Sequence, residues 1–292
     1  MEANRAGVIG LGIMGGTFAR HLGEAGIAVY GYDLLAPNLE KLRASGGHAC
    51  ASSREVAKQS DIVITSLPSP AGLEDAVDGI VAAANIGSLV IETSTLALED
   101  KERVRERLAS AGITMLDAPI SGTGPQAEAK DITIFASGDR ADFDRAQALL
   151  ANVARSVRYV GAFGAGSKLK YIANLLVAVH IAAAAEAIVL GEKAGLDASN
   201  LVELLAASAA TSRMLEVRGP SMATSDYGKP MMKVDVFQKD LRIIADFARQ
   251  LHAALPLFSA CATLFAATAA RGMGSHDTAA VISVLRSLSE AQ

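Results

Sequence analysis

A chain of 292 residues is too long for one ordinary core and suits two domains of roughly 100–200 residues each. With 51% hydrophobic and 20% charged residues it has the apolar surface for real cores, which excludes a disordered chain. Its 27 basic and 31 acidic residues are spread along the sequence without a long basic run, which argues against nucleic acid as a partner.

The opening segment, Met1-Glu-Ala-Asn-Arg-Ala6, lacks the basic-then-apolar pattern of a secretion signal. Cys50 and Cys261 stand far apart, with neither the paired spacing of a metal site nor the density of a disulfide framework. Together these features predict a cytoplasmic protein in a reducing compartment, with no metal site.

From Ala6 to about Val160, short runs rich in Val and Ile alternate with longer helix-patterned stretches. Strands are expected at Ala6–Ile9, Ala28–Tyr32, Ile62–Ser66, Leu89–Glu92, Thr114–Asp117 and Ile132–Ser137, with helices such as Gly15–Ala25 and Ala36–Ser45 between them. That alternation predicts parallel strands joined by crossover helices, an α/β domain of the Rossmann type over residues 1–163. After Gly161-Ala-Phe-Gly164 the strand signals stop. Alanine- and leucine-rich helical patterns continue to Glu290, with breaks expected around Gly195, Gly219–Pro230, Leu255-Pro256 and Gly272–Ser275. Residues 164–292 are therefore expected to form an all-α domain for substrate binding and dimerisation. Pro256 suits the first position of a helix and Gly195 the position just beyond the end of one. The stretch Ile172–Leu190 is apolar enough to raise a membrane reading, but Asn174, His180 and Glu186 lie within it and alanine dominates it. A buried helix is expected there, with His180 packed in the core and no membrane partner.

Gly10-Leu11-Gly12-Ile13-Met14-Gly15 follows the first strand directly and opens a helical stretch, the context that a dinucleotide fingerprint needs. The first glycine permits the tight turn, the second lets backbone approach a pyrophosphate, and the third lets helix and strand pack closely. An ordinary glycine-rich turn would look similar. Asp33 separates the two readings, because it ends the second strand about twenty residues on, where a carboxylate accepts hydrogen bonds from ribose hydroxyls. No arginine occurs in Leu34-Leu-Ala-Pro-Asn38, so NAD is favoured over NADP. Ser66-Leu67-Pro68 and Thr93-Ser-Thr95 end later strands on the ligand-binding edge, which makes Leu67, Pro68 and Thr95 cofactor candidates, although Ser and Thr also form ordinary turns there.

Four motifs then occur in order across nearly the whole chain: the glycine fingerprint; Asp117-Ala-Pro-Ile-Ser121-Gly122-Thr123; Gly164-Ala-Gly166-Ser-Lys168-Leu-Lys170-Tyr-Ile-Ala-Asn174; and Lys239-Asp240-Leu241. With them the sequence resembles the β-hydroxyacid dehydrogenase family, which includes enzymes of 3-hydroxyisobutyrate, tartronate semialdehyde and threonate. The resemblance implies an oxidoreductase transferring hydride between a nicotinamide and a small 3-hydroxy acid. It implies that Ser121, Gly122 and Thr123 anchor the substrate carboxylate, Thr123 standing where the family has a second glycine. It further implies that Lys170 is the general acid/base, that Asn174 orients the substrate hydroxyl, and that Lys239 approaches the cofactor while Asp240 holds its helix. A homodimer or homotetramer through the α domain is also expected.

The residue spacing agrees, since Lys170 and Asn174 are four apart and share a helix face, whereas Lys168 falls on another. Burial near a cationic nicotinamide would lower the lysine's pKa and suit it to proton transfer. Without the resemblance, Lys170 would read as a solvated helix-start lysine and Lys239-Asp240 as a surface charge pair. Two other functions remain open at this point. One is imine reduction on a similar architecture, in which the lysine is replaced. The other is an NAD-binding module without catalysis.

Overall fold

The computed structural model describes residues 4–290; residues 1–3, which begin the segment read for a secretion signal, lie outside the described residues. The chain divides into two compact units, one up to Lys170 and one from Tyr171.

In the first unit β1 (Arg5–Ile9), α1 (Ile13–Glu24), β2 (Ala28–Tyr32), α2 (Ala36–Ala44), β3 (His48–Ala49) and α3 (Ser53–Gln59) alternate along the chain. They are followed by β4 (Ile62–Thr65), α4 (Pro70–Val81), β5 (Leu89–Glu92), α5 (Leu98–Ser110) and β6 (Thr114–Asp117). The six strands form one sheet in the order β3-β2-β1-β4-β5-β6, with every pairing parallel. The chain winds outward from β1 to β3 and returns to the other side of β1 with β4, so the winding reverses between β1 and β4. That reversal is the topological switch point at which open α/β sheets hold their ligands.

The strands are continuous apolar runs because helices cover both faces of the sheet. Ile62, Ile64, Leu89 and Ile91 pack into one core with Ala6, Val8 and Leu116, while Val63, Val90, Ile9 and Met115 point into the other. Burial of each such side chain contributes about 1.5–3 kcal/mol. Serine caps start two of the covering helices: Ser52 accepts from the Glu55 N–H and Ser69 from the Gly72 N–H.

The unit continues with β7 (Ile120–Ser121), α6 (Gly124–Glu128), β8 (Thr133–Ala136), α7 (Arg140–Leu150) and β9 (Ser156–Tyr159). These strands form a second sheet, β7-β8-β9, in which β7 and β8 are antiparallel and β8 and β9 parallel. The run Ile132–Ser137, expected to continue the parallel series, is instead the centre of this small mixed sheet. Only Ala118-Pro119 separates β6 from β7, too little for a parallel crossover, so the chain leaves the large sheet there, and β8 pairs antiparallel with β7 and meets the end of β6 in an antiparallel Asp117–Ser137 bridge.

The second unit is helical: the rest of α8 (Ala165–Lys193), then α9 (Ala198–Ala206), α10 (Arg213–Thr224), α11 (Val234–Gln250), α12 (Pro256–Thr268) and α13 (Val281–Glu290). A wide π-type turn at Ala269–Met273 and a short 3-10 turn at Thr278–Ala280 join the last two. Pro256 opens α12 as expected. Gly195 ends α8 in a left-handed conformation, φ +84°, with its N–H on the Glu192 carbonyl and the Leu196 N–H on the Gly191 carbonyl.

The break expected from Gly219 begins later, because α10 runs on through Gly219 and Pro220 to Thr224. A Cβ on Gly219 would lie 2.7 Å from Val202 Cγ1, so the glycine serves the packing of α9 on α10 and marks no turn. Along α8 the stripe Ala178, Ile181, Ala185 and Ile188 is fully buried, whereas Leu176 and Leu190 are exposed. His180 lies beside that stripe and is half-buried, outside the core assigned to it from sequence.

Candidate active site

The register of the large sheet lines up five strand ends. Ile9 pairs with Tyr32 and Thr65, Thr65 with Glu92, and Glu92 with Asp117, so the residues that follow them open on one edge. Backbone bonds hold that row: the Gly10 N–H donates to the Tyr32 carbonyl at 2.9 Å, Ser66 to Ile9 at 2.9 Å, and Ala118 to Glu92 at 2.8 Å.

The fingerprint glycines differ in what requires them. Gly10 has φ +86°, and a Cβ there would lie 2.2 Å from the Ser66 carbonyl oxygen. At Gly15 a Cβ would lie 1.9 Å from the Gly10 carbonyl oxygen. Gly12 has an ordinary φ of −64°, and a Cβ there would meet nothing within 4 Å. The chain itself needs Gly10 and Gly15, but Gly12 keeps open the space over the first turn of α1, which no side chain caps. With Leu11, Ile13 and Met14 it forms a cradle that fits the pyrophosphate of a dinucleotide at a helix N-terminus.

Asp33 ties this loop to the turn after β2. One of its carboxylate oxygens accepts the Leu11 N–H at 2.6 Å and the other the Leu35 N–H at 2.8 Å. The segments of Leu67, Pro68 and Thr95 are also stitched together. The Leu67 N–H donates to Ser94 Oγ at 2.8 Å, the Ser94 N–H to Glu92 Oε1 at 2.9 Å, and Thr93 Oγ1 to the Thr65 carbonyl at 2.7 Å. A groove beside Leu11, Gly12 and Ile13 runs between α1 and α2 past Arg20 and Lys41, two cations outside the segment Leu34–Asn38.

The segment Ser121-Gly122-Thr123 leads from β7 into α6. Gly122 has φ +144°, and a Cβ there would lie 2.5 Å from Ile132 Cγ2, so glycine is required. Thr123 has φ −105°, a conformation any residue adopts, which explains how threonine is accommodated there. Its N–H and hydroxyl both donate to Gln126 Oε1, at 3.0 and 3.1 Å. Helix α6 is clipped to the fingerprint helix by Glu128, which accepts the Thr17 hydroxyl at 2.8 Å and pairs with Arg20, and by His21 against the Ala127 carbonyl at 3.1 Å. The Thr17 hydrogen bond, together with the charge of Arg20, holds the Glu128 carboxyl below the usual carboxylate range.

Sequence reasoning missed a buried charged cluster below this edge. Lys101 Nζ lies 2.7 Å from Glu92 Oε2 and 2.9 Å from Asp117 Oδ1, with all three side chains fully buried. Burial works against the Lys101 charge, but Asp117 and Glu92 more than offset it and raise its pKa. Asp117 also accepts the Ser167 N–H at 2.8 Å and the Ser167 hydroxyl at 2.7 Å, and the Gly166 N–H donates to Ser137 Oγ at 3.0 Å. The first turn of α8 is thereby fixed to the end of β6. One signal was available: Lys101 shares the spacing i, i+3, i+7 with Val104 and Leu108, which places a lysine on the apolar stripe of α5.

Lys170 lies in the next turn of α8 and is half-buried, while Lys168 is exposed. Asn174 follows Lys170 by four residues on the same helix. In the second unit Asn174 Nδ2 donates to Asp240 Oδ2 at 2.8 Å, both residues being buried, and Lys239 Nζ lies 3.6 Å from Asp240 Oδ1. Asp240 thus holds the amide of Asn174, beyond the purely structural role expected of it on α11.

Residues 5–161 match the NAD binding domain of 6-phosphogluconate dehydrogenase, and residues 164–285 match the NAD-binding domain of NADP-dependent 3-hydroxyisobutyrate dehydrogenase. The chain is 39% identical over 282 residues to L-threonate dehydrogenase of Cupriavidus necator, covering 95% of each protein. It is 36% identical to the solved 3-hydroxyisobutyrate dehydrogenase of Salmonella typhimurium, with a TM-score of 0.87 over 96% of this chain and 99% of that one. It is 31% identical to the Mycobacterium tuberculosis 3-hydroxyisobutyrate dehydrogenase solved with L-serine, with a TM-score of 0.90 over 98% and 100%. Both halves of the chain, the NAD-binding strand-end row and the helical unit that follows it, match over nearly their full length, and the chain belongs to the β-hydroxyacid dehydrogenase family of NAD(P)-dependent oxidoreductases.

Proposed function

We propose that the protein oxidises a small hydroxy acid of the sugar-acid class with NAD, L-threonate being the first candidate because the 39% identical relative carries that name. The observation that carries the catalytic part of this reading is that Lys170 follows a helix start fixed to the same strand-end row that holds the fingerprint loop.

In this reading a nicotinamide held at the fingerprint loop would supply the acceptor for the hydride that leaves the hydroxyl-bearing carbon of the substrate. Lys170 Nζ takes the hydroxyl proton as the C–O bond becomes a carbonyl, and returns a proton in the reverse direction. Asn174, held by Asp240, orients the hydroxyl, and Lys239 approaches the cofactor. The Ser121 hydroxyl and the Gly122 backbone receive the carboxylate, with Thr123 beside them; because Gln126 occupies the Thr123 donors, Ser121 and Gly122 carry the larger share. Gly10, Leu11, Gly12, Ile13, Met14 and Gly15 hold the pyrophosphate, Asp33 the ribose, and Leu67, Pro68 and Thr95 the remainder of the dinucleotide. Residues 1–163 would then serve the cofactor and 164–292 the substrate and self-association, in the cytoplasm.

The test is a panel of L-threonate, 3-hydroxyisobutyrate and glycerate with NAD and NADP. Turnover is expected with at least one acid, and Lys170→Ala should reduce the chemical step by about two to four orders of magnitude with NADH binding retained. Near-normal turnover of Lys170→Ala, or loss only in Lys168→Ala, would sink the assignment of Lys170.

A further inference from the structure

Asp117 ends β6, is fully buried, and accepts from more donors than a neutral side chain could serve. Its Oδ1 takes Lys101 Nζ at 2.9 Å and the Ser167 hydroxyl at 2.7 Å; its Oδ2 takes the Ser167 N–H at 2.8 Å and the Ser137 hydroxyl at 3.1 Å. An amide in its place would turn one acceptor into a donor facing other donors. Lys101, paired on its other side with Glu92, supplies the cation that a carboxylate needs at that depth.

The donors that Asp117 and Ser137 satisfy are those that the first turn of a helix leaves without an intrahelical partner. Here they belong to Gly166 and Ser167 at the start of α8. The approach is close: a Cβ on Gly166 would lie 2.3 Å from the Phe135 carbonyl oxygen and 3.0 Å from that of Asp117. Ser167, Lys170 and Asn174 stand at i, i+3 and i+7, one stripe of a helix. Fixing the helix at Ser167 therefore fixes the rotation and rise of the stripe on which the lysine lies, about 4.5 Å further along the axis.

We propose that Asp117, acting through Ser167 and paired with Lys101, is a positioning residue for Lys170: it sets the height and rotation of the helix start so that the lysine meets the substrate hydroxyl. This inference rests on the acid/base role assigned to Lys170 above. It differs from a general contribution to folding in that its loss is felt by the chemical step and leaves ligand binding unchanged.

A double-mutant cycle tests it, with the best acid of the panel and NAD. Ser167→Ala should lower the single-turnover rate of NADH formation by about tenfold, the scale of a sub-ångström misplacement, with the acid KM and the NADH Kd within about twofold of the parent. In a Lys170→Ala background the same substitution should have no further effect, because the group it positions is already gone. Should Ser167→Ala not fold, Ser137→Ala, which removes the acceptor of the Gly166 N–H together with the hydroxyl that donates to Asp117, takes its place in the cycle. An unchanged rate, or an equal loss in both backgrounds, would overturn the proposal while leaving Lys170 as the acid/base. Normal turnover of Lys170→Ala alone would remove the functional reading, and the proposal with it.

Discussion

Lys101 shows most directly how a single residue is committed to this fold. Replacing it with methionine would leave Glu92 and Asp117 buried without their cation, which costs about 3–5 kcal/mol. Denaturant unfolding should show that loss, and equal stability of Lys101→Met and parent would mean that the two ion pairs do not hold the cluster. Cys50 and Cys261 give a second residue-scale expectation. Burial, with Glu55 adding to it, pushes the Cys50 thiol up to about 11, and burial likewise raises Cys261. A thiol at the Cys50 value is ionised to about one part in a thousand near pH 8 and Cys261 is buried as well, so neither cysteine should react with a disulfide reagent until the chain unfolds. Asp33 also belongs here: both its oxygens are held by backbone N–H groups, which fixes the carboxylate beside the fingerprint loop, where the proposed function puts the ribose. Catalytic efficiency with NAD should exceed that with NADP, and parity would show that Arg20 or Lys41 in the adjoining groove receives the extra phosphate.

How far the residues could be read from sequence follows from these cases. The placement of Asp33 and the fingerprint glycines was legible because it depends on position relative to one strand. The Lys101 cluster was not, because its members come from β5, α5, β6 and α8, and a lone lysine or glutamate in sequence reads as solvated. Asp117 was quoted only as the first letter of a motif, and nothing local said that it would receive the start of another helix.

At the scale of elements, the strands of the large sheet were readable because a parallel sheet covered on both faces needs uninterrupted Val and Ile. β7 and β9 gave no comparable signal, being short and half-buried, and the pairing of β8 with them instead of with the large sheet is a tertiary choice that periodicity does not register. Gly219 misled for a related reason, since glycine marks close packing as readily as a turn. The same distinction makes a prediction for the fingerprint. Gly15→Ala places a methyl group against the Gly10 carbonyl and should unfold or distort the β1–α1 turn, lowering the melting temperature. Gly12→Ala meets no protein atom, so it should melt like the parent yet bind NADH at least about tenfold more weakly, or about 1.4 kcal/mol. If both variants lose stability equally, the space over Gly12 is not reserved for a ligand.

For the molecule as a whole the question is what covers the apolar residues left exposed on the helical unit. α8 has 29 residues and is long and apolar enough to cross a membrane. Yet it carries the buried Asn174–Asp240 hydrogen bond, and its Ala178–Ile188 stripe lies inside a protein core, both of which suit a helix surrounded by protein. Leu176, Leu190, Leu204 and Leu257 remain 48%, 72%, 62% and 70% exposed. A second copy of the chain is the partner that this reading assigns to them, and in a twofold interface each leucine enters twice, so one substitution is felt on both sides. Light scattering at micromolar concentration without detergent should give a dimer or tetramer, and Leu190→Glu should weaken it. A monomer that pellets with lipid vesicles would assign the exposed residues to a membrane surface, and one that stays in the supernatant would leave them uncovered.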